Sequence, residues 1–240
     1  MRKIGRPRSP AGASRPPAGL PPDSAERWRR TYAETPYREL PWFSPRAYRW
    51  LRAMVEEGRV ARGGRVIDLG CGAGTNALFL ARAGFRVSGV DIAPGAIDAA
   101  QRRARRAGLA VDFRVGDVLR LPYGAGTFAG ATDVGCFHTV PAPLRPAYAA
   151  EVARILRPGG VFLLSWIARE HTGPHGPPHR LSVADVAEAL EPRFLFRSVE
   201  FPDPPRHELR VYRARLERRR TPQPPPFRAG TVVRPERLHR

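Results

Sequence analysis

Cysteine is scarce in this chain: 240 residues hold two, Cys71 and Cys136. Two cysteines cannot make a disulfide framework, and Cys71 lies in a glycine-rich turn where a bridge would obstruct a ligand. A reducing, cytoplasmic setting is therefore expected. Long apolar runs are also missing. None approaches the roughly 18 residues needed to cross a bilayer, so no membrane partner is expected. Lysine occurs once, at Lys3, so a net charge of +19 is carried almost wholly by arginine. Acids are absent from residues 1–22, which hold five basic residues and six prolines. That stretch has no secretory apolar segment, and its prolines oppose the amphipathic helix of a transit peptide.

Three domains of behaviour follow from composition. Residues 1–22 read as a disordered basic lead, residues 23–216 as a folded domain, and residues 217–240 as a disordered basic tail. Much of the charge excess sits in the two ends, leaving a net +8 between residues 23 and 214. A nucleic-acid partner is thus the less favoured reading, and solvated arginine the favoured one. The domain is expected to act as a monomer.

Along the chain, Asp23 or Ser24 is placed to cap a helix carrying Trp28 and Tyr32 on one face. Thr35 to Pro45 holds three prolines and three aromatics, a poor helix and a suitable lid. A helix is expected from about Arg46 to Glu57. From Arg65 the pattern alternates: strand Arg65–Leu69, helix to Ala83, strand Phe85–Asp91, helix from Pro94 to Gly108, strand Ala110–Val115, strand Phe128–Val134. A helix over Leu144–Leu156 is expected to end at Pro158-Gly159-Gly160, before an apolar strand Val161–Ile167. A helix Val183–Leu190 and strands near 194–201 and 208–216 close the domain. The βα alternation predicts a doubly wound sheet with helices on both faces. Arg102, Arg103, Arg105 and Arg106 are read as a solvated outer face.

In such a sheet ligands bind beyond the carboxyl ends of the strands, at the reversal of strand order. The first strand leads into Asp68-Leu69-Gly70-Cys71-Gly72-Ala73-Gly74. A dinucleotide fingerprint would carry glycine where Thr75 stands, and the glycines alternate instead. Asp91 ends the second strand, 17 residues after Gly74, where an acid can accept from both ribose hydroxyls. A carboxylate that merely caps the next helix is the competing reading. Asp117 follows the third strand, where it can take an exocyclic adenine amine while the Val118 backbone serves the ring. A turn aspartate is the alternative.

Asp68…Gly74, Val90-Asp91, Gly116-Asp117 and Pro158-Gly159-Gly160 together resemble the motifs of class I S-adenosylmethionine (SAM) methyltransferases, in order and spacing, over about residues 25–214. The resemblance implies a Rossmann-like seven-stranded sheet, mostly parallel with the last strand antiparallel. It implies SAM as cofactor, with Asp68, Gly70, Cys71, Gly72 and Gly74 around its methionine part, Asp91 and Ile92 at the ribose, and Asp117 and Val118 at the adenine. Trp28…Tyr32, Pro41-Trp42 and Asp133 to His138 look like small-molecule methyltransferases of the thiopurine and tellurite-resistance type. One departure is Ala129, where such enzymes commonly carry an acid.

The acceptor side is read from Trp42, Asp133, Phe137 and His138. Methyl transfer is an in-line displacement whose reactivity comes from the cofactor, and the protein supplies alignment and exclusion of water. A thiol or other soft nucleophile needs little base. A hydroxyl or amine acceptor needs one, for which His138 is the candidate. Asp133 is expected to orient cofactor or substrate. A loop histidine bonded to backbone, a packed Cys136 and a turn Asp133 are the competing readings. His171, His175 and His179 recur every four residues, but Gly and Pro between them exclude a helix, so no metal site is expected. The function expected is methyl transfer to a small-molecule acceptor. An RNA or protein methyltransferase using the basic ends, a non-catalytic SAM-binding protein and a NAD(P) oxidoreductase are the alternatives.

Overall fold

The computed structural model describes residues 22–60, 64–170, 180–201 and 210–221. Nearly all of the expected basic lead and tail lie outside the described residues, as do His171, His175 and His179. The described elements are α1 (Pro22–Glu34), α2 (Arg49–Glu56), β1 (Arg65–Leu69), α3 (Thr75–Arg82), β2 (Arg86–Asp91), α4 (Pro94–Arg106), β3 (Val111–Val115), β4 (Phe128–Val134), α5 (Arg145–Ile155), β5 (Leu156–Ile167), α6 (Val183–Leu190), β6 (Phe194–Glu200) and β7 (Val211–Arg218).

The seven strands form one sheet in the order β3-β2-β1-β4-β5-β7-β6. β1 to β5 pair in parallel, and β7 runs antiparallel between β5 and β6. This is the seven-stranded, mostly parallel sheet that the alternation and the resemblance implied. Helices cover both faces, because successive side chains on a strand point to opposite sides. Val66 enters one apolar cluster with residues of α2, α3 and α4, and Ile67 enters the other with residues of α5 and α6. β2 lies on one side of β1 and β4 on the other, so the strand order reverses at the β1–β4 border. A crevice opens there at the carboxyl ends.

Local chemistry explains the boundaries. Ser182 caps α6 in a reciprocal box: its hydroxyl accepts from the Asp185 N–H, and the Asp185 carboxylate accepts from the Ser182 N–H at 2.7 Å. Most boundaries shift by a residue or two from the sequence reading, and four differences have a clear local cause. α1 begins at Pro22, so Asp23 and Ser24 lie inside its first turn, where the acid suits the helix dipole. α2 begins at Arg49, because Ser44 and Arg46 close a hydrogen-bonded turn and the Tyr48 N–H is held by Asn76 Oδ1 at 3.0 Å. Pro158-Gly159-Gly160 does not separate helix from strand but sits within β5. There the register shifts between the Phe128–Leu156 and Gly130–Val161 pairs. A Cβ at Gly160 would lie 2.8 Å from the Arg157 carbonyl oxygen, so only glycine permits that close approach. Finally, Glu217 and Arg218 continue β7 against Leu195 and Phe194, two residues into the expected tail. Among the described residues no helix is long and apolar enough to cross a membrane.

Candidate functional site

The glycine-rich turn leaves β1 at the strand-order reversal. Gly70, Gly72 and Gly74 all have left-handed φ, at 62°, 52° and 79°. Each also meets a close neighbour. An added Cβ would lie 2.5 Å from Cys136 Cβ at Gly70, 2.8 Å from the Tyr32 hydroxyl at Gly72, and 2.8 Å from Phe113 at Gly74. Backbone conformation and space therefore exclude side chains along one continuous wall. The turn is tied down by Cys71 N–H to Val90 O at 3.0 Å and by Gly72 N–H to Asp91 Oδ2 at 2.9 Å.

Asp91 accepts a second N–H, that of Ala93, at 3.0 Å on Oδ1. It thus orients both the turn and the start of α4. An ionised carboxylate has about four acceptor positions, so these N–H groups do not exhaust its capacity. Burial pushes its pKa up, against these N–H donors that lower it. Asp68 is deeper. Thr132 on the neighbouring strand donates to its Oδ1 at 2.9 Å, and its Oδ2 is buried with no hydrogen-bond partner. Burial raises the Asp68 pKa to about 7, with nearby Asp133 and Asp91 adding to the rise. A buried acceptor without a donor beside bare backbone is a demand for a hydrogen-bonding or cationic ligand group. Ile92 is half-buried at the mouth of α4. Asp117 is half-buried and accepts from the Leu119 N–H at 2.9 Å, while Val118 is buried in the core.

Two expectations for the acceptor side are corrected. Asp133 is fully buried, with both carboxylate oxygens hydrogen-bonded within the loop. Its Oδ1 accepts from Cys136 N–H at 2.8 Å, and its Oδ2 from Phe137 N–H at 2.9 Å and Tyr148 O–H at 2.6 Å. Burial raises its pKa to about 6, opposed chiefly by the Tyr148 hydrogen bond. Asp133 folds the loop after β4 rather than facing a reactant. Phe137 is likewise fully buried, packed against Tyr148 with ring centroids 5.1 Å apart, so it is core rather than substrate wall. His138 is 5% exposed in the 3₁₀ turn Phe137–Thr139, its Cε1 3.4 Å from where a Gly135 Cβ would be. Cys136 overlies Gly70, and burial pushes both thiols well up. Neither cysteine is a ready thiolate.

Residues 66–160 match the methyltransferase domain family. A 2-heptyl-1-hydroxyquinolin-4(1H)-one methyltransferase of Mycobacteroides abscessus is 31% identical over 62% of this chain and 66% of its own length. A ubiquinone biosynthesis O-methyltransferase of Xanthomonas axonopodis pv. citri is 33% identical over 60% of this chain and 58% of its own. The chain thus spans less than two thirds of these curated relatives. A solved structure concerned with conversion of a disulfide bond into a thioacetal group during echinomycin biosynthesis superposes with a TM-score of 0.72. It is 26% identical, covering 81% of this chain and 93% of that one.

These matches support a class I SAM-dependent methyltransferase domain. The glycine wall, the unpartnered Asp68 oxygen and Asp91 lie at the carboxyl ends of β1 and β2, beside the β1–β4 border. The residues present could hold such a cofactor: Asp68 has an unpartnered acceptor oxygen, and Asp91 is a carboxylate anchored beside the glycine turn. Among the described residues no group of three or more His, Cys, Asp or Glu could hold a metal ion.

Tyr32 is the residue that sequence reasoning missed. It was read as one of a pair on a helix face. In the fold α1 packs on α4, and the Tyr32 hydroxyl stands over Gly72 while accepting from Trp42 Nε1 at 3.1 Å. Burial, with Asp91 beside it, pushes the Tyr32 pKa up, so it stays a neutral donor. Trp28 and Trp42 meet edge to face at 5.4 Å, and Trp42 is half exposed above the turn. The recurrence of Trp28, Tyr32 and Trp42 in a short amino-terminal stretch was the available signal. Arg103 is a further correction. It is not a solvated face residue but reaches back to Ala73 O at 2.5 Å and Thr75 Oγ1 at 2.8 Å.

Proposed function

We propose that this protein transfers the methyl group of SAM to a hydroxyl of a small-molecule acceptor, acting as a cytoplasmic enzyme. The observation that carries the cofactor half is the unpartnered buried Oδ2 of Asp68 beside a wall that tolerates no side chain. In this reading Asp68 and the backbone of Gly70 to Gly74 hold the methionine end. Asp91 accepts from the ribose hydroxyls, with Ile92 against the sugar. Asp117 and the Val118 backbone receive the adenine. Tyr32 and Trp42 close over the cofactor and exclude water. SAM supplies an electrophilic sulfonium methyl when bound. The protein then has only to align the acceptor oxygen behind that carbon and receive its proton.

His138 is the group we assign to that proton. Its position after β4, one residue beyond the buried Phe137, leaves the imidazole beside Gly135 in the loop that follows the strand. The bound cofactor would supply the methyl group to the acceptor oxygen and leave as the thioether, and the imidazole would take the hydroxyl proton. The O-methyltransferase relative supports an oxygen acceptor. The echinomycin-related structure favours a second reading, a sulfur acceptor, in which the nucleophile is already anionic and His138 is dispensable.

The test is calorimetry with SAM, followed by a methyl-transfer screen over hydroxyl, thiol and amine acceptors. Cofactor binding with turnover on a hydroxyl acceptor supports the proposal. Turnover confined to thiols moves the assignment to sulfur. Tight binding without turnover on any acceptor points to a non-catalytic SAM-binding protein. Turnover on RNA or protein alone returns the function to the macromolecular reading.

A further inference from the structure

On the outer side of the glycine-rich turn lies a second concavity, with a volume of about 380 Å³. α3 forms its floor through Thr75, Phe79 and Arg82, which share one face at i, i+4 and i+7. α2 and the segment before it supply Arg46 and Arg52, and α4 supplies Arg103 from the opposite wall. Four of the eight lining residues are arginine and none is an acid. None of the four forms an ion pair with a described residue. Glu56, one turn along α2 from Arg52, does not pair with it.

Four guanidinia around one space repel each other unless something compensates. For Arg103 the compensation is partial. Its guanidinium donates to the Ala73 carbonyl and Thr75 hydroxyl and lies 5.7 Å from the Tyr37 ring centroid and 5.4 Å from that of Phe43. These contacts fix its plane without neutralising it. Burial, with Arg38 and Arg82 nearby, draws its pKa below the ordinary value. Arg46, Arg52 and Arg82 are exposed and line the cleft. Planar guanidinium forks match the oxygens of phosphate bidentately, and several together favour a ligand with more than one negative charge.

We infer that this cleft is a binding site for a small, multiply charged phosphate-bearing anion. It is separate from the methyl-transfer crevice, bordering it only through Thr75 and the Arg103 contact to Ala73. Its volume of about 380 Å³ is that of a small-ligand site and suits a compact anion rather than an extended strand of nucleic acid. The inference is independent of the acceptor assigned above.

Inorganic pyrophosphate is the probe. Titration into the full chain at about 0.15 M salt, by calorimetry and thermal shift, should show saturable binding that weakens as salt is raised. The R52E/R82E double variant alters two exposed side chains outside the cofactor crevice. It should lose at least about tenfold in pyrophosphate affinity, since each removes a charge-assisted contact. Its S-adenosylhomocysteine affinity should stay within about twofold of the parent, because neither residue borders that crevice. Equal pyrophosphate binding by parent and variant would assign it to the basic ends of the chain and overturn the proposal. So would no saturable binding by the parent. A single-stranded RNA that binds the parent and is not displaced by pyrophosphate would also overturn it, in favour of a nucleic-acid surface.

Discussion

The hydroxyl of Tyr32 stands 2.8 Å from the position that a Cβ on Gly72 would occupy. An element near the start of the chain and the turn after the first strand are thereby fitted to each other. Gly72→Ala is excluded twice, by this contact and by a φ of 52° that costs L-residues roughly 1–2 kcal/mol. The variant should lose that much stability and at least about tenfold in S-adenosylhomocysteine affinity. Calorimetry and denaturant unfolding check both. Unaltered affinity would mean that Tyr32 and the turn do not border the cofactor.

Asp91→Ala removes an acceptor from two backbone N–H groups as well as from the proposed ribose. Cofactor affinity should fall by roughly 1–3 kcal/mol, with a measurable loss of stability, because buried donors are left unpaired. Asp117→Ala should cost less stability, since its carboxylate holds a half-buried turn. A full set of affinities for the two variants separates ribose from adenine contacts.

Asp68 gives the cofactor-free protein a pH signature. Its folded pKa of about 7 lies above the ordinary 3.8, so the folded state holds this proton more tightly than the unfolded chain. The resulting stabilisation is fully present below about pH 4 and is lost as pH rises towards 7. A cationic ligand group at Oδ2 reverses the preference. SAM binding at pH 6 should therefore release protons and should tighten as pH rises to 7. Calorimetry in two buffers of different ionisation enthalpy measures the release, and Asp68→Asn should abolish it. Proton uptake instead of release would refute an ammonium at this position.

His138→Ala distinguishes the acceptor classes. With a hydroxyl acceptor kcat should fall by roughly 10²–10⁴-fold while cofactor affinity holds. With a thiol acceptor near or above its own pKa the loss should be small. Equal losses on both acceptors would make His138 a packing residue.

Tyr148→Phe isolates the loop after β4. It deletes the 2.6 Å donor to Asp133 without changing the ring that packs on Phe137 and Phe162. Stability should fall by about 1–3 kcal/mol, the worth of a buried hydrogen bond to a charged acceptor. Unchanged denaturant midpoints would show that the two N–H donors suffice.

The strand and helix order, the glycine turn and the family motifs were legible in the sequence because each is local. Alternation with period two or near four reports an element, and Asp68 to Gly74 carries its own backbone requirement. β4 and α6 were read to the residue for that reason. The standing of individual side chains was not local. Asp133 and Phe137 read as reactive-loop residues until Tyr148, fifteen residues on, was seen to hydrogen-bond to one and bury the other. Arg103 read as solvated until α4 packed it against Ala73 and Thr75. Tyr32 read as one of a pair on a helix face until α1 brought its hydroxyl over Gly72. Hydrogen bonding and burial depend on partners that only folding brings together, so tertiary structure decided which acid is open to a ligand and which is spent on the loop.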